Sequence, residues 1–258
     1  MIKATLYIDS IYCQCPVKVD IALPYPYFGE RNYKNIWALH CALKDGSFFF
    51  DNLAVANYVD QYGLAVIAPS LNFFGALGED GSYDFLENEL FSIIMDTFQL
   101  SEKKEDNFLL GISMGAYESL KLIKRSKFQF SRIALLSGVY DFSLCDEKQI
   151  KKDRRQSMLF KLVTSNLKRK YGEDFIKTEA GNLLKFSDNC LKCNPKVDIY
   201  CGAEDFICID NSKVLLDKLQ SANIKCSFSV FSGGHETKVW QDSLEDFVKK
   251  ISVKGDLG

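Results

Sequence analysis

One serine pentapeptide limits the fold of this chain more than any other feature of its sequence. Ser113 is the centre of Gly-Ile-Ser-Met-Gly, residues 111–115, which follows the pattern G-x-S-x-G. A short apolar segment typical of a buried strand precedes it, and an amphipathic segment typical of a helix follows it. A serine on a sharp turn between a strand and a helix is held above the edge of a sheet, where its hydroxyl can act as a nucleophile. The pattern therefore predicts an α/β fold, with the positive end of a helix dipole beside Ser113.

Two further side chains are needed for such a serine to react. A base must remove its proton, and a carboxylate must orient that base. Of the two histidines, only His235 lies after Ser113; it follows a strand-like segment and two glycines, whereas Asp205 follows the preceding strand-like segment. A helix-like segment separates these strands, which predicts that they run parallel and bring Asp205 and His235 to one edge of the sheet. The order Ser113, Asp205, His235 is the order expected of α/β-hydrolases.

The residues alone leave alternatives for two positions. Glu204 or Asp210 could serve as the acid in place of Asp205, which could instead be a solvated turn residue. The other histidine, His40, follows an apolar strand-like segment. It could therefore shape a loop beside the site or be a buried structural histidine.

Length and charge exclude several classes of protein. A chain of 258 residues is long enough for one α/β domain with a substantial core, which we assign to residues 1–258. The formal net charge is −2, so we expect no nucleic-acid partner. We see no secretory leader and no apolar run long enough to span a membrane, so we expect a cytoplasmic protein without a membrane partner.

The nine cysteines are odd in number and scattered along the chain, which favours free thiols in a reducing compartment. Two pairs are closely spaced, Cys13 with Cys15 and Cys190 with Cys193. Neither pair has a histidine nearby, so we predict no structural zinc site.

Strand-like and helix-like segments alternate along most of the chain, which predicts a mostly parallel central sheet with helices on both faces. Residues 143–193 break this alternation with irregular helical stretches and two basic clusters, at 151–155 and 168–170. The segment separates two strand-like segments, so we expect a small lid-like insertion over the carboxyl ends of the strands. We expect its basic clusters to form solvated surfaces rather than binding patches.

With these residues in order, the chain resembles the putative-esterase (esterase D-like) family of α/β-hydrolases, and within it the bacterial tributyrin esterases. The matching stretches are GISMGAY at 111–117, ALLSG at 134–138, CGAEDF at 201–206 and GGHE at 233–236. The third stretch favours Asp205 over its neighbours as the acid. The resemblance implies hydrolysis of short-chain acyl esters through a Ser-His-Asp triad and an acyl-enzyme, without metal or cofactor.

Two positions depart from the family pattern. The family usually has His-Gly after the third strand, whereas this chain has His40 and Cys41, and cysteine restricts the backbone more than glycine does. The family elbow usually ends in two glycines, whereas Ala116 stands second here, a mild change because alanine suits the first turn of a helix. The oxyanion is expected to be held by the backbone N–H groups of Met114 and Cys41.

The resulting hypothesis is a serine carboxylesterase acting on a small-molecule ester. We expect His40, Asn72, Phe73 and Phe206 near the substrate, although the two phenylalanines fit ordinary core positions equally well. Acyl transfer or thioester hydrolysis with a sugar or thiol acceptor would use the same triad. A catalytically inactive hydrolase-fold binding protein is a third alternative, and a homo-oligomer is compatible with the sequence.

Overall fold

A computed structural model describes residues 1–25, 33–71, 81–184, 191 and 194–252. Within these ranges the strands are β1 (Ile2–Ser10), β2 (Cys15–Leu23), β3 (Lys34–Leu39), β4 (Leu64–Pro69), β5 (Asn107–Ile112), β6 (Arg132–Leu136), β7 (Lys196–Gly202) and β8 (Cys226–Phe231). They form one eight-stranded sheet in the order β1-β2-β4-β3-β5-β6-β7-β8. The hairpin of β1 and β2 is antiparallel, as is the pairing of β2 with β4, and every later pairing is parallel. The prediction of a mostly parallel sheet is confirmed.

The central strands are mostly apolar because both faces of the sheet are covered. All six residues of β4 and all six of β5 are buried. At the edge, β1 instead alternates between exposed and half-buried residues, the pattern of a strand covered on one face. The serine turn therefore follows β5, a strand that is buried along its whole length.

Helices cover both faces of the sheet. They are α1 (Phe48–Asp51), α2 (Val55–Tyr62), α3 (Ser82–Phe85), α4 (Phe91–Phe98), α5 (Met114–Arg125), α6 (Glu147–Ile150), α7 (Arg154–Tyr171), α8 (Ile209–Ser221) and α9 (Thr237–Ser252). Side chains of α1, α2 and α9 form one core cluster, and those of α3, α4, α5 and α8 form another. A π-helical turn, Leu86–Leu90, joins α3 to α4, so the helical segment that ends at Phe98 contains a widened turn.

The insertion predicted over residues 143–193 holds α6, α7 and a 3₁₀ turn, Phe175–Lys177. Residues 143–184 contribute these helices between β6 and β7. Cys190 and Cys193 lie outside the described residues.

None of the helices described is both long enough and apolar enough to cross a bilayer.

A buried ion pair crosses the sheet from β6 to β7. The carboxylate of Asp198 accepts hydrogen bonds from Nε of Arg132 at 2.5 Å and from Oγ of Ser227 at 2.6 Å. Burial alone would raise the pKa of Asp198, but the hydrogen bonds from Arg132 and Ser227 outweigh it and lower the pKa. Nζ of Lys250 approaches the same carboxylate at 3.4 Å. The charge of Asp198 is thus tolerated in the sheet because three groups compensate it.

We expect Arg132→Met to lower the free energy of unfolding by about 3 kcal/mol, because removing one partner leaves the buried carboxylate undercompensated. Urea unfolding at neutral pH measures the change. Lys249→Met, which breaks the exposed pair of Lys249 with Glu245 on α9, is the matched control and should have little effect. Equal losses in the two variants would contradict a special role for the buried pair.

Candidate active site

Ser113 occupies a strained turn between β5 and α5. Its backbone has φ 55° and ψ −110°, a combination that residues other than glycine seldom adopt. The N–H of Ser113 donates to the carbonyl of Leu136 at 2.7 Å, which ties the turn to β6. A Cβ atom at Gly115 would lie 2.0 Å from the carbonyl oxygen of Leu39, so only glycine lets α5 approach the end of β3 this closely. The turn therefore holds the serine hydroxyl at the carboxyl edge of the sheet.

The loops after β7 and β8 approach each other just as closely. A Cβ atom at Gly202 would lie 2.3 Å from the carbonyl oxygen of Gly233. The side chain of Glu204 accepts a hydrogen bond from the N–H of Gly233 at 2.7 Å. Glu204 thus holds the backbone of the loop that carries His235, whereas the neighbouring Asp205 faces the imidazole itself.

Three side chains form a continuous hydrogen-bonded line. Nε2 of His235 lies 3.0 Å from Oγ of Ser113, and Nδ1 of His235 lies 2.8 Å from Oδ2 of Asp205. Asp205 is fully buried, and 5% of the His235 side chain is exposed. Of the alternative acids, Asp210 pairs with the exposed Lys213. The arrangement can pass a proton from the serine hydroxyl to the imidazole while the buried carboxylate orients the ring.

Cys208 lies directly beside this line. Its Sγ is 3.7 Å from Nδ1 of His235, and it donates to the carbonyl of Ser137 at 3.0 Å. The ligand-capable atoms of Asp205, Cys208 and His235 lie within 4.8 Å of one another, so a metal ion must be considered. Burial raises the pKa of the Cys208 thiol well above its usual range, and a protonated thiol is a poor ligand. This chemistry favours proton transfer over metal binding here.

The indole of Trp240 packs against the imidazole of His235. The ring centroids are 5.2 Å apart and the planes are nearly perpendicular, at 89°. Trp240 lies in the first turns of α9 and also contacts Phe48 edge-on. With Asp205 on one ring nitrogen and Trp240 against the ring, His235 has little freedom to rotate away from Ser113.

A small apolar cavity of about 40 Å³ opens at Ser113. The described residues that line it are Ala42, Ser113, Met114, Tyr117, Val139, Phe142, Leu159, Phe160, Val163, Ile207 and His235. The hydroxyl of Tyr117 is engaged outside the cavity, donating to the carbonyl of Ala180 at 3.1 Å. Apart from Ser113 and His235, the lining is thus suited to an apolar group.

Helix α7 of the insertion forms one wall of this cavity through Leu159, Phe160 and Val163. One turn earlier, the side-chain amide of Gln156 donates to the carbonyl of Glu204 at 2.9 Å. The insertion is therefore attached to the loop that carries the acid, and it encloses the site. Movement of this segment as a lid stays a prediction.

The structure describes only some of the residues that the sequence predicts near the substrate. Asn72 and Phe73 lie outside the described residues. Phe206 is half-buried in a small cluster with Cys201 and Cys208, and its neighbour Ile207 lines the cavity instead. Phe206 is therefore not among the described residues that line the cavity, whereas Ile207 is.

His40 is buried and bridges two backbone segments. Its Nε2 accepts from the N–H of Leu71 at 3.0 Å, so Nδ1 carries the proton and donates to the carbonyl of Cys41 at 2.8 Å. Burial lowers the pKa of His40, which keeps the ring neutral. Burial also raises the pKa of the Cys41 thiol to about 12, so this thiol is no nucleophile near neutral pH. His40 therefore shapes the loop beside the site rather than contacting the cavity.

Several cavity residues were not identified from the sequence, namely Val139, Phe142, Leu159, Phe160, Val163 and Ile207. A signal existed for α7, where apolar residues recur at positions 159, 160 and 163 among basic ones. This spacing indicates one apolar face on a helix, although nothing in it says which element the face will contact. Trp240 and Cys208 carried no comparable signal, because their contact with His235 joins separate elements.

We expect the neutral state of His40 to make the protein less stable in acid. Below a pH of about 6.5 the unfolded chain binds a proton at His40 more readily than the folded protein does. The free energy of unfolding therefore falls as the pH is lowered. Between pH values of about 7.5 and 5.5, the wild type should lose more stability than His40→Asn, by at most about 1.4 kcal/mol; the asparagine keeps a donor for Cys41. Urea unfolding at the two pH values measures this, and the same pH dependence in both proteins would contradict it.

The chain is similar to known proteins over most of its length. Residues 76–251 match the family described as Putative esterase. The chain is 26% identical over 239 residues to an acetyl esterase of Caldicellulosiruptor saccharolyticus, with 88% of this chain and 86% of that protein covered.

Two solved structures share the fold. FphF, a fluorophosphonate-binding serine hydrolase of Staphylococcus aureus, superposes with a TM-score of 0.75 at 21% identity, covering 98% of this chain and 99% of its own. An S-formylglutathione hydrolase of Agrobacterium tumefaciens gives a TM-score of 0.77 at 13% identity, covering 97% and 94%. Together with the family match, these likenesses identify the chain as a member of the putative esterase family, an α/β-hydrolase-fold carboxylic ester hydrolase.

Proposed function

We propose that this protein is a serine carboxylesterase that cleaves esters of short, apolar acyl groups through an acyl-enzyme. The observation that carries the proposal is the line from Asp205 through His235 to Ser113, which ends at an apolar cavity. Membership of an esterase family supports the reaction class, and the cavity supports the choice of acyl group.

The chemistry follows from the hydrogen bonds. Nε2 of His235 takes the proton of Ser113 as Oγ attacks the ester carbonyl, and the imidazolium then protonates the leaving alcohol. Water attacks the acyl-enzyme in the second half of the reaction, with His235 again acting as base. The buried carboxylate of Asp205 holds Nδ1–H and stabilises the imidazolium in both halves.

Two backbone N–H groups are proposed to bind the oxyanion. The N–H of Met114 begins α5, directly after Ser113, where it has no intrahelical acceptor. For the second donor we favour Ala42 over Cys41, the residue expected from the sequence. The ring of His40 donates a hydrogen bond to the carbonyl of Cys41. The N–H of Ala42 belongs to the same trans peptide and points in the direction opposite to that carbonyl, away from His40. Ala42 lines the cavity together with Met114, which supports this choice.

The shape of the cavity supports a short acyl group. Leu159 and Phe160 of α7 line the same cavity as Ser113, together with Phe142, and we propose that they limit the length of the acyl group that enters. Among the lining residues that the structure describes, His235 is the only Asp, Glu, Lys, Arg or His, so a charged acyl group would lose its hydration without compensation.

The proposed function is tested by labelling and turnover together. We expect a fluorophosphonate to attach one equivalent to Ser113, and p-nitrophenyl butyrate to be hydrolysed with release of the acid. Mass spectrometry of the intact and digested protein locates the label. A folded wild type that neither labels nor hydrolyses the ester would refute the proposal.

Matched variants assign the roles. Ser113→Ala should abolish labelling and turnover, and Asp205→Asn should reduce kcat about 10⁴-fold, as neutralising a triad acid does elsewhere. Glu204→Gln is the control, since its side chain contacts the backbone of Gly233 and not the imidazole. A larger loss from Glu204→Gln than from Asp205→Asn would show that the wrong carboxylate has been chosen.

We expect Leu159→Ala to shift the preferred acyl group to a longer chain, because it enlarges the cavity wall. The measurement is kcat/KM for p-nitrophenyl esters of increasing acyl length, and the longer esters should gain about tenfold for one or two extra methylenes accommodated. Leu162→Ala on the same helix is the control, since Leu162 is 41% exposed and lies away from the cavity. An unchanged profile for Leu159→Ala, or an equal shift for Leu162→Ala, would contradict α7 as the length limit.

A further inference from the structure

Helix α7 has an outer face that the esterase reaction does not use. Its exposed residues are Arg154, Arg155, Met158, Lys161, Leu162, Ser165, Lys168 and Arg169, with Lys170 beyond them. At 3.6 residues per turn, the first eight fall within one arc of roughly 140°. The cavity residues Leu159, Phe160 and Val163 lie on the opposite side. We call the eight exposed residues the basic face of α7.

The cations of this face are not explained by the stability of the helix. The eighteen residues of α7 include six Lys or Arg and no Asp or Glu. Lys168 and Arg169 suit the negative end of the helix dipole, but Arg154 and Arg155 stand in the first turn, where the dipole disfavours cations. The N-cap carboxylate of Asp153 accepts instead from the backbone N–H groups of Arg155 and Gln156. The first turn therefore carries positive charge at a cost to the helix.

Within the described part of the chain, most of these cations also have no ionic partner. Among the residues that the structure describes, Lys168 pairs with Glu173, whereas Arg154, Arg155 and Lys161 form no ion pair. This concentration of charge is local, since the whole chain has a net charge of −2. The face is thus complementary to an anionic surface, although the protein as a whole is not basic.

Apolar side chains stand among the cations. Met158 is 72% exposed and Leu162 is 41% exposed, one turn apart in the middle of the basic face. A helix that presents cations together with exposed apolar residues on one side is suited to the boundary between lipid headgroups and acyl chains. A helix face that contacts only water gains no stability from exposing Met158 or Leu162.

We propose that the basic face of α7 docks the protein on an anionic lipid surface. The lipid is favoured over an acidic protein or polymer because Met158 and Leu162 lie inside the charged arc, where a purely ionic partner would leave them unused. This inference goes beyond the proposed function and departs from the sequence expectation of no membrane partner. It requires a peripheral contact only, with headgroups meeting the cations and the two apolar side chains entering the interface.

Vesicle binding tests the proposal with the full-length protein. We expect it to sediment with vesicles of equal parts phosphatidylglycerol and phosphatidylcholine at low salt, and to stay in solution with phosphatidylcholine alone. Each neutralised cation should lower the partition coefficient about fivefold, so Arg154→Gln, Arg155→Gln and Lys161→Gln together should lower it about a hundredfold. Absence of binding to the anionic vesicles at low salt overturns the proposal.

A charge-matched control locates the surface. Lys213→Gln, Lys218→Gln and Lys238→Gln change the net charge equally on α8 and α9 and should leave binding within about twofold of the wild type, since they lie outside the basic face. If this control loses binding as much as the α7 variant does, overall charge and not α7 is responsible. Both variants should hydrolyse p-nitrophenyl butyrate normally, so a failure of vesicle binding is distinguishable from a failure of the proposed function.

A third comparison distinguishes lipid from other anions. Met158→Ser with Leu162→Ser should weaken vesicle binding several-fold and leave binding to soluble polyglutamate unchanged. If the wild type binds polyglutamate as tightly as vesicles, and the double variant binds vesicles like the wild type, the face recognises charge alone. That result would replace the lipid surface with an acidic macromolecule as the partner.

Discussion

The close approach of backbones at the carboxyl edge of the sheet is the constraint on which the site depends. Helix α5 begins against the end of β3, and the loop after β8 lies against the end of β7, with no room for a side chain at Gly115 or Gly202. These two contacts bring Ser113 and His235 within hydrogen-bond distance although 122 positions separate them in the chain. The strained backbone of Ser113 is sustained by the buried strands beneath it, whose packing offsets a cost of about 1–3 kcal/mol.

Much of the fold could be predicted from sequence because the parallel strands are short, apolar and separated by recognisable helices. Asp205 and His235 could be placed at the same edge of the sheet for the same reason, since each follows a strand whose direction could be predicted. Contacts that join distant elements were beyond this reasoning. Nothing local shows that Leu159 lines the same cavity as Ser113, that Trp240 packs on His235, or that Ile207 rather than Phe206 is among the described residues lining that cavity.

The loop after β3 shows how one substitution can be accommodated by a second interaction. Where relatives are expected to have glycine, Cys41 is buried, and its carbonyl is held by the neutral ring of His40. The ring also accepts from Leu71, so a single buried histidine fixes the backbone on two sides of the loop. The conformational freedom that glycine would supply is not needed, because hydrogen bonds to His40 hold the peptide in place.

The contact between Trp240 and His235 gives the protein an optical probe of its own proton-transfer group. The chain has two tryptophans, and the other, Trp37, lies buried in a separate aromatic cluster with its indole N–H on Asn107. A protonated imidazole quenches the fluorescence of an adjacent indole more strongly than a neutral one does. With Trp37 replaced by phenylalanine, the emission of Trp240 would follow the charge of His235 directly, in the resting protein and in the acyl-enzyme, without any substrate chromophore.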